Sequence, residues 1–186
     1  DLLVSRVQSG LDVAPDRPVE DRIRFADIEA IALAMESGAG GNDLTIVGTI
    51  AGTVGIVGST GNDRISVETT AGATTLSLVG GSNTVTVHKN RVLTGIAGDL
   101  QVIGGTGTDV VLFDASGEVD GHDILLGVTG LTSVFGSLSA GALRYDDAVE
   151  TVELRLGRGA DTVGIPDLTR RVVVDTGGGI DHVVAT

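Results

Sequence analysis

Five aspartates close glycine-rich turns in this chain. Asp43 follows Gly40-Gly41-Asn42, Asp63 follows Gly58-Ser59-Thr60-Gly61-Asn62, and Asp109 follows Gly104-Gly105-Thr106-Gly107-Thr108. Asp161 follows Gly157-Arg158-Gly159-Ala160, and Asp181 follows Gly177-Gly178-Gly179-Ile180. Carboxylates beside turns that expose backbone carbonyls are hard oxygen ligands, and calcium takes about six to eight of these. Asp43, Asp63, Asp109, Asp161 and Asp181 are therefore candidate metal ligands, with calcium as the candidate cofactor. Asp43 with Asp63, then Asp161 with Asp181, are the pairs expected to share an ion between adjacent turns. The same residues have a metal-free use, because an Asp after such a turn accepts backbone N–H bonds and fixes the turn. The degenerate turn Gly80-Gly81-Ser82-Asn83 carries Asn, which does that job without charge.

Other reactive groups are sparse. His88, His122 and His182 lack the clustered spacing of a zinc site. Asp146-Asp147 resembles the paired carboxylates of glycosidases, but its counterpart earlier in the chain, Ala26-Asp27, marks it as a repeat feature. No Gly-x-Ser-x-Gly elbow is present. Tyr145 and three Phe offer little surface for a sugar. The expectation is a non-enzyme with no catalytic and no cofactor-binding residue.

The elements that position these turns follow from spacing. Asp43 to Asp63, Asp63 to Asn83 and Asp161 to Asp181 are each 20 residues. Each turn runs into alternating β-formers such as Arg64-Ile65-Ser66-Val67 and Thr84-Val85-Thr86-Val87. A second strand set, including Val54-Gly55-Ile56, Leu76-Ser77-Leu78, Val152 to Leu156 and Val172 to Val174, keeps the same period. A fixed period of turn-plus-strand units predicts an all-β parallel β-helix (a β-solenoid) with two short strands per coil of about 20 residues. Successive coils would pair about 4.8 Å apart. Ile46, Ile65, Val85, Leu112 and Val163 are expected to point inward in one column. Aromatics are 2% of the chain, so the core is expected to be narrow and aliphatic.

A longer repeat overlies the short one. Ile23-Arg24-Phe25-Ala26-Asp27-Ile28-Glu29 resembles Leu143-Arg144-Tyr145-Asp146-Asp147-Ala148-Val149-Glu150, and Glu29 to Glu150 is 121 residues. The chain reads as a single solenoid segment, 1–186, holding about one and a half copies of a unit near 120 residues, 23–142 and 143–186. Such a sequence reads as a slice of something larger. Between Phe113 and Leu143 the rhythm loosens. Asp114 to Asp123 reads as a protruding loop, and 124–126, 130–134 and 142–145 as further short strands in irregular coils. Leu11 to Asp21, with Pro15 and Pro18, takes the matching place in the first copy. Asp27 to Glu36 has helical propensity, but its match to Val152–Leu156 predicts a strand.

The run Gly104-Gly105-Thr106-Gly107-Thr108-Asp109-Val110-Val111-Leu112 resembles the glycine-rich nonapeptide of the calcium-binding RTX proteins, and Gly58 to Val67 is a looser match. The wider pattern is similar to repeats of very large secreted or surface-attached bacterial proteins. That resemblance implies a bacterial protein located outside the cell or on its surface. It implies a structural role as stalk, adhesin or filament subunit, or alternatively a calcium-responsive secretion or folding module attached to an enzyme or toxin.

Charge points the same way. The net charge of −13 disfavours nucleic acid and anionic membranes as partners. No apolar run is long enough for a membrane span, so no membrane insertion is expected. Cysteine is absent, so stability is expected from stacked strand ladders. The last residues, Asp181-His182-Val183-Val184-Ala185-Thr186, form an apolar strand without Pro or charge cluster. The expected partners are therefore neighbouring copies or adjoining repeats, met end to end through unpaired strand edges.

Overall fold

Alternation carries the chain into strands wherever a turn residue releases it. The computed structural model describes residues 29–35, 40–135, 138–166 and 169–186, and among these there is no helix. Leu11–Asp21 and the first-copy residues 23–28 lie outside the described residues.

The first coils are built from β1 (Ala30–Ala34), β2 (Asp43–Ile46), β3 (Thr53–Val57), β4 (Arg64–Val67), β5 (Thr74–Ser77), β6 (Gly80–Val87), β7 (Leu100–Ile103) and β8 (Thr106–Asp114). The rest comprises β9 (Asp123–Gly127), β10 (Gly130–Phe135), β11 (Leu143–Tyr145), β12 (Thr151–Arg155), β13 (Thr162–Ile165), β14 (Arg171–Asp175) and β15 (His182–Ala185). They form two sheets. One has nine strands in the order β1-β3-β5-β7-β11-β10-β9-β13-β15, and the other has six in the order β14-β12-β8-β6-β4-β2. The chain crosses from one to the other twice per coil, which makes a β-solenoid. Within the segment with helical propensity, Ala30–Ala34 is strand β1, which pairs along its length with β3.

The core lies between the sheets as stacked apolar columns. Leu44, Ile65, Val85, Val111, Val152 and Val172 share one column of the six-stranded sheet, and Ile46, Val67, Val87, Phe113, Leu154 and Val174 the next. Burying each such side chain stabilises by roughly 1.5–3 kcal/mol. The expected single column is therefore corrected. Ile65 and Val85 share it, whereas Ile46 belongs to the neighbouring column, Leu112 faces outward and Val163 lies on the other sheet. The inward positions stand two and four residues after the turn residue, so Val111 and Phe113 point in and Leu112 cannot.

Coil length varies where loops leave the stack. The register step is 20 residues from Arg64 to Thr84 and 26 from Thr84 to Val110. The extra six residues leave through Lys89-Asn90-Arg91-Val92, a tight turn closed by reciprocal Lys89–Val92 backbone bonds of 2.9 and 3.1 Å. The turns themselves stack backbone on backbone. A Cβ at Gly72 would stand 2.0 Å from the Gly52 carbonyl oxygen, and one at Gly98 would stand 2.3 Å from that of Gly72. Glycine is needed there for close approach.

The loosened stretch is a meander. β10 pairs antiparallel with both β9 and β11, while β11 returns to the parallel stack on β7. On the opposite sheet β8 and β12 remain direct neighbours. One face thus carries two extra strands at this level, about 10 Å more height. Phe113 and Tyr145, both buried, meet there at 6.2 Å between ring centroids and fill the widened core.

The long repeat exchanges faces. β1 and β12 follow the similar segments that end in Glu29 and Glu150, yet β1 lies on the nine-stranded sheet and β12 on the six-stranded one. With the meander counted as one visit to its face, nine crossings separate them, an odd number. Equivalent turns therefore occupy opposite edges of the solenoid.

Candidate functional site

One register level of the six-stranded sheet forms a ladder, Asn42, Asp63, Asn83, Asp109, Glu150 and Arg170, which lies just before β2, β4, β12 and β14 and within β6 and β8. From Asn42 to Asp109, each rung's backbone N–H donates to the side-chain oxygen of the next. Asn42 N donates to Asp63 Oδ1 at 2.8 Å, Asp63 N to Asn83 Oδ1 at 2.8 Å, and Asp109 N to Glu150 Oε2 at 2.6 Å. Asn83 Nδ2 donates to Asp109 Oδ1 at 2.8 Å. Amide and carboxylate alternate over the first four rungs, so no two carboxylates there are neighbours about 5 Å apart.

Asp63 shows how its oxygens are used. It is 1% exposed. Oδ1 accepts from Asn42 N, from Asn42 Nδ2 at 3.0 Å and from Ser59 Oγ at 2.8 Å, while Oδ2 accepts from Ser59 N at 2.8 Å. Four donors fill the acceptor capacity of a carboxylate. An ion at Asp63 would have to displace them, so this donor set fits turn capping and does not fit a calcium ligand. Asp109, fully buried, accepts from Gly105 N at 2.7 Å as well as from Asn83.

The pairing of Asp43 with Asp63 is not formed. Asp43 stands opposite Arg64, with 4.0 Å between Oδ1 and Nη1 and both side chains exposed. Asn42 takes the ladder position instead. The hydrophobic pattern decides this. With Asp43 in the ladder, Thr45 would face the core and Leu44 and Ile46 would face water, a one-residue slip that inverts the strand. Nor do the five aspartates line one edge. Asp63 and Asp109 are in this ladder, whereas Asp161 and Asp181 are on the opposite edge because the long repeat exchanges faces.

There a second ladder runs His122, Asp161, Asp181. His122 N donates to Asp161 Oδ1 at 2.8 Å, and Asp161 N donates to Asp181 Oδ1 at 3.0 Å. Here two carboxylates are adjacent. Asp161 is 1% exposed, and its Oδ2 has no hydrogen-bond partner among the described residues. Burial raises the Asp161 carboxyl above its ordinary value and Asp181 adds to the rise, with the His122 N–H bond and charge offsetting part. No group of three or more His, Asp or Glu is arranged to hold a metal among the described residues.

The Asp146-Asp147 pair is structural. Asp146 Oδ1 accepts from Gly104 N at 2.9 Å and from Ala148 N at 3.2 Å. Asp147 is exposed and pairs with Arg170 at 3.1 Å. Arg170, which sequence reasoning did not single out, staples the meander to the stack. Its Nη1 donates to the carbonyls of Asp146 at 2.6 Å and Val149 at 2.9 Å, and its Nη2 donates to that of Val128 at 2.6 Å. The guanidinium lies 5.0 Å from the Tyr145 ring centroid, and the Tyr145 hydroxyl donates to the Gly127 carbonyl. The one sequence signal was Arg at a position where other coils carry Asp, Asn or Glu.

One outward row at the far end of the six-stranded sheet alternates acidic with basic residue types: Glu68, His88, Asp114, Arg155, Asp175. Burial raises the Asp114 carboxyl, but hydrogen bonds from Ser116 and the charges of His88 and Arg155 outweigh it, and the group sits below its ordinary value. Searches of family models, curated proteins and solved structures return no match to this chain.

Proposed function

We propose that this chain is a structural repeat segment of a large extracellular bacterial protein, serving as stalk, adhesin or filament subunit. One observation carries the reading: most of the buried carboxylates and amides at the glycine-rich turns are engaged in holding one coil to the next. Asp63, Asn83, Asp109 and Asp146 cap backbone N–H groups of stacked turns. A stack held in this way transmits load and sets distance without a ligand. Far-UV circular dichroism and small-angle scattering with and without EDTA test it. Unchanged strand signal and an elongated envelope in EDTA are expected.

A second reading, a calcium-responsive module, has one observation in its favour. The Asp161–Asp181 rung sets two carboxylates side by side and leaves Oδ2 of Asp161 without a donor. Folding that requires calcium, and is lost in EDTA, would move the conclusion to that reading.

A further inference from the structure

We propose that the nine-stranded face opens in two parts along the seam between β10 and β11, and that Tyr145 and Arg170 form the clasp that holds this seam shut.

The two parts do not follow chain order. Residues 140–145 belong to the lower stack: Ala140 N and Gly141 N donate to the Ile96 carbonyl at 3.1 and 2.9 Å, and β11 lies on β7. Strands β9 and β10 come earlier in the chain, yet neither pairs with any of β1 to β8. Instead β9 pairs with β13. The segment leading to β9 is held the same way, with Arg158 N donating to the Glu118 carbonyl at 3.0 Å and Thr162 N to that of His122 at 2.8 Å. On this face β9, β10 and β13 therefore form one part, and β1, β3, β5, β7 and β11 the other.

In a stacked fold each level is held by its neighbours, so the weakest junction sets where the stack divides. The two parts meet on this face through β10 and β11 alone. These pair at Gly130 with Arg144 and at Leu131 with Leu143, the shortest ladder among the described strands. The backbones there leave no room for a side chain, since a Cβ at Gly130 would stand 2.5 Å from the Leu143 carbonyl oxygen. The six-stranded face runs through β8, β12 and β14 without such a break and serves as the pivot.

Tyr145 and Arg170 supply what the short ladder lacks. Three consecutive carbonyls of the β9–β10 turn are taken by them. Gly127 accepts from the Tyr145 hydroxyl, Val128 from Arg170 Nη2 at 2.6 Å, and Thr129 from Tyr145 N at 3.1 Å. Arg170 Nη1 holds the carbonyls of Asp146 and Val149 on the other side of the seam. The guanidinium over the Tyr145 ring joins the two halves of the clasp. The Lys89–Val92 turn, by contrast, closes with its own backbone bonds.

Native-state hydrogen exchange of the whole chain in low urea tests this. Amides of β9, β10 and β13 should exchange through one shared opening, with one urea dependence, while those of β4, β6 and β8 stay protected until global unfolding. Gly130→Ala wedges the seam and Arg170→Ala removes half the clasp. Each should speed exchange of the β9, β10 and β13 set by about a hundredfold and leave β4 and β6 unchanged. Gly127→Ala is the control, because a Cβ there meets its nearest neighbour at 3.6 Å, and it should change nothing. Exchange of β9 and β13 together with β4 and β6 in one transition overturns the proposal. So does a graded loss from β15 through β13 to β9, which is fraying strand by strand. Unchanged β9 exchange in Gly130→Ala overturns it as well, and the wild-type measurement decides even if Arg170→Ala does not fold.

Discussion

Replacing Asp63 by Ala takes one carboxylate from the ladder and removes the acceptor of four hydrogen bonds. Asn42 N and Ser59 N, both at 2.8 Å from it, are backbone groups in buried residues. Each costs about 1–3 kcal/mol when left unmade. Asn42 Nδ2 and Ser59 Oγ lose an acceptor as well. Removal of a buried charge gives part of this back, so the net loss is set at about 4 kcal/mol. Asp63→Asn keeps one acceptor oxygen and should lose about half as much, since Asn83 already holds the next rung. Chemical denaturation followed by circular dichroism measures both, in EDTA and again in millimolar calcium. Hydrogen exchange at the Asn42 and Ser59 amides locates the damage. A loss under about 1 kcal/mol for Asp63→Ala would refute the capping account, and so would a loss seen only with calcium present.

Four further outcomes are expected. Asp161→Asn should raise the denaturation midpoint at neutral pH, because it removes the carboxylate beside Asp181 and restores the alternation of the other ladder. The Asp161 carboxyl is raised in the fold, so its contribution is present below pH 3.8 and lost as pH rises through the raised value; the Asn variant should lack that slope in a pH series. Burial pushes the Tyr145 hydroxyl up to about 12, with Arg170 offsetting part, so protonated Tyr145 favours the fold below pH 10.0 and that support fades toward 12; as Tyr145 is the sole tyrosine, ultraviolet absorbance titration reads it directly. Arg170→Ala should cost about 3 kcal/mol and speed hydrogen exchange in β9 and β10, and Arg170→Lys should not rescue it, because an ammonium cannot reach three carbonyls at once. Asn90 and Arg91 hold φ of 55° and 64°, and Arg91→Gly should raise stability by about 0.5–1 kcal/mol in the same denaturation assay, since glycine adopts that conformation without strain.

The period near 20 residues, the two strands per coil and the absence of a described helix follow from the sequence alone. Turn residues and period-2 alternation are local signals, and a solenoid repeats a local solution. The capping role was legible too, because Asn83 in an aspartate position suits a hydrogen bond better than an ion. Tertiary structure alone decided the register at Asn42 and Asp43, since either residue suits the turn and only burial of Leu44 and Ile46 against the opposite sheet chooses between them. It also decided that Asp63 and Asp161 lie on opposite edges, which depends on an odd number of crossings rather than on any residue near them. The antiparallel meander and its Arg170 staple belong to the same class. The staple joins groups more than 20 residues apart, such as Arg170 with Val128, and the meander rejoins the stack by pairing Leu143 with Leu100. No short-range pattern records such contacts, because their energy exists only once the coils are stacked.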